Sequence, residues 1–208
     1  MPDQPKRTDS YRTICQKGEA TYTEMRSRFL AFALHVDSEE EAKNAVAEMR
    51  KKYYDARHVC FAYILGNDAA QFRMSDDGEP AGTAGAPLHR QLTAAGLTFS
   101  MVIVVRYFGG VKLGTSRLLT AYKTAAAQAI DAALTEERIV TTTFTLSVPY
   151  PDADTAMRFV RDAEATITQR EYTATACLLT VAVRLDSEAA LRERLTTIYT
   201  LQILPNEP

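Results

Sequence analysis

Cysteine and histidine are scarce in this chain of 208 residues, which has three of each. Cys15, Cys60 and Cys177 are too few and too widely spaced for a disulfide framework or a paired-cysteine zinc site, and they read as free thiols of a reducing compartment. His35, His58 and His89 stand apart from one another. His58 precedes Cys60 by two residues, so a nucleophilic Cys–His pair requires the two to converge in space, and no G-x-S-x-G elbow offers a serine instead. Long apolar runs are missing as well. The longest, near Met101, is far too short for a bilayer, and Met1–Ile14 lacks the apolar core of a secretory signal. A formal net charge of −2 argues against wholesale coating of nucleic acid or membrane. The expectation is a cytoplasmic protein with no membrane contact.

Charge is concentrated locally, in two glycine-bearing stretches. Ser75–Pro87 places Asp76, Asp77 and Glu79 ahead of Gly82 and Gly85, with no Lys or Arg between Met74 and His89. Arg106–Gly114 runs out of the apolar strand pattern Met101–Val105 into Gly109, Gly110 and Lys112. From Thr98 to Ile130 there are four bases, Arg106, Lys112, Arg117 and Lys123, and no acid. The three carboxylates have two readings: hard oxygen ligands for Mg²⁺, or turn residues whose side chains bond local amides. The second stretch suits an anion, because glycine turns before a helix let backbone amides approach it and the helix dipole favours negative charge there. It is not a Walker loop, since Thr115 stands where the lysine belongs, and no G-x-G-x-x-G is present. Arg106 and Lys112 are expected to meet phosphate and Tyr107 to stack on a base, although Tyr107 and Phe108 could equally cover a sheet edge.

The periodicities predict strands at Arg28–Val36, His58–Leu65, Ala70–Met74 and Leu97–Arg106. Helices follow from Ser38–Glu41, a capping box leading to Ala42, Val46, Met49 and Tyr53 on one face, and from Thr83–Ala95 and the Ala-rich Leu113–Leu134. Residues 1–10 are polar and expected to fray. After Thr135 the pattern changes. Phe144, Leu146 and Val148 alternate with small polar residues, Asp152 is placed to cap a helix, and strands Thr166–Tyr172 and Thr175–Leu185 precede a helix at Ser187–Ile198 and a last strand at Thr200–Leu204. That βαββαβ order is the ferredoxin-like split pattern. An α+β protein of two domains, 1–137 and 138–208, is expected.

The ordered set Asp55–Tyr63, Ser75–Pro80, Gly82–Gly85, Arg106–Gly110 and Lys112–Gly114 resembles the YigZ/IMPACT family, over roughly Tyr11 to Leu134. The resemblance implies an N-terminal domain like domain IV of elongation factor G, ribosomal-protein-like with a left-handed βαβ crossover, and a C-terminal domain like its domain V. It implies translation-linked regulation rather than catalysis, since the eukaryotic members bind the activator of a translation-factor kinase. It also implies a polar cleft formed by His58, Asp76, Asp77, Glu79, Thr83, Arg106, Tyr107 and Lys112, with Gly109, Gly110 and Gly114 in its binding turn. The leading expectation is a non-catalytic protein that contacts RNA, the ribosome or a translation-associated protein and needs no cofactor or metal, with a small oligomer left open. The competing expectation is a metal-assisted enzyme for a phosphate-bearing small molecule, with the three carboxylates on the ion. A third is a protein-interaction module that docks through its C-terminal sheet.

Overall fold

The computed structural model describes residues 9–204 and separates into two compact units, one formed by residues 11–138 and one by residues 139–204 with Asp9 and Ser10. Both are mixed α+β. Of the ten residues expected to fray, 1–8 lie outside the described residues, whereas Ser10 opens a strand.

The first unit runs β1 (Ser10–Gln16), β2 (Gly18–Glu24), β3 (Ser27–His35), α1 (Glu39–Lys52), β4 (His58–Leu65), β5 (Gln71–Ser75), α2 (Gly85–Ala94), β6 (Ser100–Tyr107), α3 (Thr115–Asp131) and β7 (Leu134–Ile139). Five strands form one sheet in the order β2-β3-β6-β4-β5, antiparallel at every pairing, and β1 pairs with β7 in a separate ribbon. Since β3 and β4 both run antiparallel to the central β6, they are parallel to each other, with α1 linking them. Period-two alternation sorts the central strands onto two apolar faces. On one face, Phe29, Ala31, Cys60, Ala62, Val102 and Val104 pack under α2 and α3; on the other, Phe32, Val59, Tyr63, Met101, Ile103 and Val105 pack under α1. The small residues Ala121, Ala125, Ala126 and Ala129 bring α3 close to the sheet, and Tyr122 is the one aromatic among them. At the start of α1, Ser38 accepts the Glu41 amide as its spacing predicts, while Glu41 reaches back to the amide of Asp37.

The second unit runs β8 (Thr141–Pro149), α4 (Ala153–Asp162), β9 (Thr166–Tyr172), β10 (Ala176–Arg184), α5 (Glu188–Thr196) and β11 (Gln202–Leu204), a βαββαβ sequence of elements. Its antiparallel sheet has the order β11-β8-β10-β9, and one face carries Phe144, Leu146, Leu179 and Val181 against α4 and α5. Asp152 precedes α4 without capping it: its carboxylate accepts the Thr200 hydroxyl at 2.6 Å instead. Among the described residues, no helix is long and apolar enough to cross a membrane.

Candidate functional site

Asp76, Asp77 and Glu79 point to three different tasks. Asp76 organises its own turn, accepting the amides of Gly82, Ala84 and Gly85 at 2.8–2.9 Å and so closing the N-terminus of α2. Asp77 lies in the left-handed region at φ +44°, a costly conformation for a residue with a Cβ, and its carboxylate accepts the Val59 amide and pairs with Arg50 of α1. Two residues later the chain has turned enough to send Glu79 inward. Its Oε1 accepts from Arg106 Nη1 at 2.7 Å and from the Tyr122 hydroxyl at 2.8 Å, with 4% of the side chain exposed. The carboxylates are therefore not assembled as an ion cage. Among the described residues, no group of three or more His, Cys, Asp and Glu side chains is placed to hold a metal.

Strand register places Arg106 opposite His58 on β4 and Phe29 on β3, all on the face beneath α3. Expected to meet phosphate, Arg106 is instead a buried partner of Glu79 that lies over the Phe29 ring, and its Nε has no hydrogen-bond partner. His58 hydrogen-bonds through Nδ1 to the Asp77 carbonyl at 2.8 Å. A carbonyl only accepts, so Nδ1 carries the proton and, in the neutral ring, Nε2 keeps its lone pair toward Glu79, 3.9 Å away. Cys60 does not pair with His58; its thiol has the Asp76 carbonyl at 3.1 Å and the Tyr122 oxygen at 3.3 Å as alternative acceptors for its one proton. Burial pushes the Cys60 thiol well above the usual range and raises the Tyr122 phenol likewise, so both stay protonated and serve as donors.

Above this buried network lies a pocket of about 370 Å³. His58, Glu79 and Arg106 contribute to it from the sheet side, Lys112 and Gly114 from the glycine loop, and Thr115 and Leu118 from α3. Gly114, at φ +74°, starts α3 without a side-chain cap, and the first turn holds no acid. The N-terminal amides and the positive end of the dipole are thus left facing whatever approaches the start of the helix. Lys112 and Arg57 are exposed and have no ion-pair partner among the described residues.

Five residues expected in the cleft, His58, Glu79, Arg106, Lys112 and Gly114, are brought together around this pocket. Asp76 and Asp77 are not among them, nor is Thr83, whose hydroxyl bonds the Pro80 carbonyl inside the turn. Tyr107 lies on the opposite face of the sheet, donating to Asp55 beneath the Arg28 guanidinium. Gly109 has a packing role: a Cβ there would overlap the backbone of Arg26, and its amide donates to Ser27 Oγ. Gly110 takes φ +85° in open space between them. The sequence reading missed Arg57, Leu118 and Tyr122. Only Tyr122 carries a signal, as a lone aromatic in an alanine face.

A family model described as the Impact N-terminal domain matches residues 25–130, a span that includes every residue of the pocket. The chain is 42% identical over 127 residues to the IMPACT family member YigZ of Escherichia coli, covering 60% of this chain and 62% of that protein, less than two thirds of the latter's length. It is 42% identical to an IMPACT family member of Thermus thermophilus over 61% of this chain and 68% of that one. Among solved structures, a hypothetical protein 33% identical in sequence superposes with a TM-score of 0.68, covering 96% of this chain and 98% of the other. With that domain across half of its length and this degree of identity to its relatives, the chain belongs to the IMPACT family.

Proposed function

We propose that the protein is a non-catalytic cytoplasmic binding protein linked to the regulation of translation, and that it holds a phosphate of RNA, free or within the ribosome, at the mouth of the pocket. The observation that carries this reading is the meeting of Lys112, Arg57 and the acid-free, uncapped N-terminus of α3 at one concave site. Cations and helix amides together suit a phosphate, the group that dominates affinity in RNA binding. Membership of the IMPACT family supports the link to translation, and the antiparallel βαββαβ second unit supports a ferredoxin-like domain, by analogy the counterpart of domain V of elongation factor G. The likeness of the first unit to domain IV, with its left-handed crossover, belongs to the same proposal. The division at about residue 138 is its domain boundary.

The test is a salt titration of single-stranded RNA binding and of ribosome co-sedimentation. Affinity is expected to fall linearly with salt on logarithmic axes, and Lys112→Ala should reduce the slope by roughly 0.7, the value for one single-strand phosphate contact. Binding that is absent, or indifferent to both salt and Lys112, overturns the reading. The metal-assisted alternative is the less favoured reading, because Asp76 and Asp77 are engaged with backbone amides and Arg50.

A further inference from the structure

We propose that the pocket receives a single nucleotide, with its phosphate at Lys112 and the first turn of α3 and its base against Phe108. The inference rests on the RNA reading above and deepens it, since a surface that only holds phosphates needs exposed cations but no cavity. Here there is a cavity. At about 370 Å³ it falls within the roughly 300–1,000 Å³ of small-molecule sites, and its lining combines two chemistries. Lys112, Gly114 and Thr115 supply charge and backbone amides, while Phe108, Leu113 and Leu118 supply apolar surface.

Phe108 is the second observation. Phe108 is 49% exposed, and the Arg106 guanidinium lies 5.8 Å from its ring centroid. An aromatic face left open at a cationic pocket is what a base stacks on, whichever base it is. Tyr107, the stacking residue expected from sequence, cannot serve, because it belongs to the other face of the sheet. The third observation is Arg106 itself. It lines the pocket with 6% of its surface exposed, and its buried Nε is an open donor where nearly all buried polar groups are paired. The donor itself is closed to solvent, so an incoming nucleotide oxygen meets it only if the Arg106 side chain shifts toward the pocket. A double helix, with its bases stacked inside, has no single nucleotide to offer, so a strand would have to present one at an end or turned out of its stack.

The experiment is calorimetric titration of the full chain with AMP and UMP, with the corresponding nucleosides and with inorganic phosphate, together with displacement of labelled single-stranded RNA. Both monophosphates are expected to bind at least about tenfold more tightly than nucleoside or phosphate alone, and to displace the RNA. Phe108→Ala should weaken the monophosphates by about tenfold or more while leaving inorganic phosphate unchanged, and Phe108→Tyr should restore them. Equal affinity for phosphate and monophosphate, with Phe108→Ala silent, reduces the pocket to an anion site and overturns the inference while the RNA reading stands. RNA binding that the monophosphates neither match nor displace overturns it in the same way. Monophosphate binding in the absence of any RNA binding supports the inference and overturns the RNA reading.

Discussion

The Arg106 guanidinium and the Glu79 carboxylate meet at 2.7 Å beneath the pocket, with 7% and 4% of their side chains exposed. A charge pair so far from water gains Coulomb energy in a medium of low dielectric and loses hydration on both partners, so its net worth is small while its dependence on both members is large. Removing Arg106 leaves Glu79 buried without its close counter-charge, with the neutral Tyr122 hydroxyl as its remaining hydrogen-bond donor. Arg106→Ala is therefore expected to destabilise the protein by about 3–5 kcal/mol, read from the urea unfolding midpoint, while Glu79→Gln combined with Arg106→Met should lose less than Arg106→Ala does. A cost below about 1 kcal/mol for the single substitution would show that Glu79 is neutralised by another route, with Tyr122 the nearest donor. The same pair explains what could not be read from the chain alone. Asp76, Asp77 and Glu79 are alike in residue type and adjacent in sequence, yet positive φ at Asp77 and Gly78 turns the backbone between them, and only Glu79 reaches the pocket. Sequence distance carries no information about side-chain direction through such a turn.

At the level of elements, β4, β5, β9 and β10, with α1 and α5, lie within a residue or two of their expected bounds. An apolar face at the right period carries β4, β10 and α1, whereas β5 and β9 are almost wholly exposed and follow instead from strand-forming residues beside a turn. β1, β2 and β7 escaped notice: β7 reads LTEERI, and β2 is an edge strand that, after the buried Gly18, alternates only between exposed and half-buried residues, so neither shows a fully buried apolar face. Yet β2 matters to the site. Its hairpin with β3 turns through Met25 and Arg26, both at positive φ, and this tip seats Gly109 at the start of the loop that leads to Lys112. Glycine is needed at 109 for space and at 110 for its dihedral angle, and the two requirements predict different outcomes. Gly110→Ala is expected to cost about 1–2 kcal/mol of stability, the price of a left-handed alanine, and to spare RNA binding. Gly109→Ala should cost about 1–3 kcal/mol from overpacking and also weaken RNA binding, because the loop has to lift off the hairpin and carry Lys112 with it. Unfolding midpoints and binding curves for the two variants separate these effects; a Gly109→Ala protein that binds as Gly110→Ala does would remove the hairpin from the account of the site.

On the scale of the whole molecule, the question is which unit would meet the proposed RNA, and the second unit has a surface that resembles a known RNA platform in topology only. Four-stranded antiparallel sheets on a βαββαβ frame bind single strands by stacking bases on aromatic side chains of the open face. Here the face turned away from α4 and α5 carries Thr145, Ser147, Leu178, Thr180 and Ala182, with Gln169 and Glu171 at the paired positions of β9. None of these is aromatic or basic and one is an acid; the one base of the same face, Arg184 at the end of β10, is paired with Asp9. The aromatic ring, the free cations and the uncapped helix all belong to the first unit, inside residues 25–130. Added negative charge discriminates between the two surfaces. Gln169→Glu in the full chain puts a carboxylate on the exposed rim of the second sheet, where an approaching phosphate backbone would be repelled at low salt. RNA affinity at low ionic strength is expected to change by less than about twofold in Gln169→Glu and to fall severalfold in Lys112→Ala, since only the latter removes a contact from the counterion balance. If Gln169→Glu weakened binding as much as Lys112→Ala, the second sheet would form part of the RNA interface. Its threonine face would then have to act through hydroxyl contacts to sugar and phosphate, because it has no rings on which to stack a base.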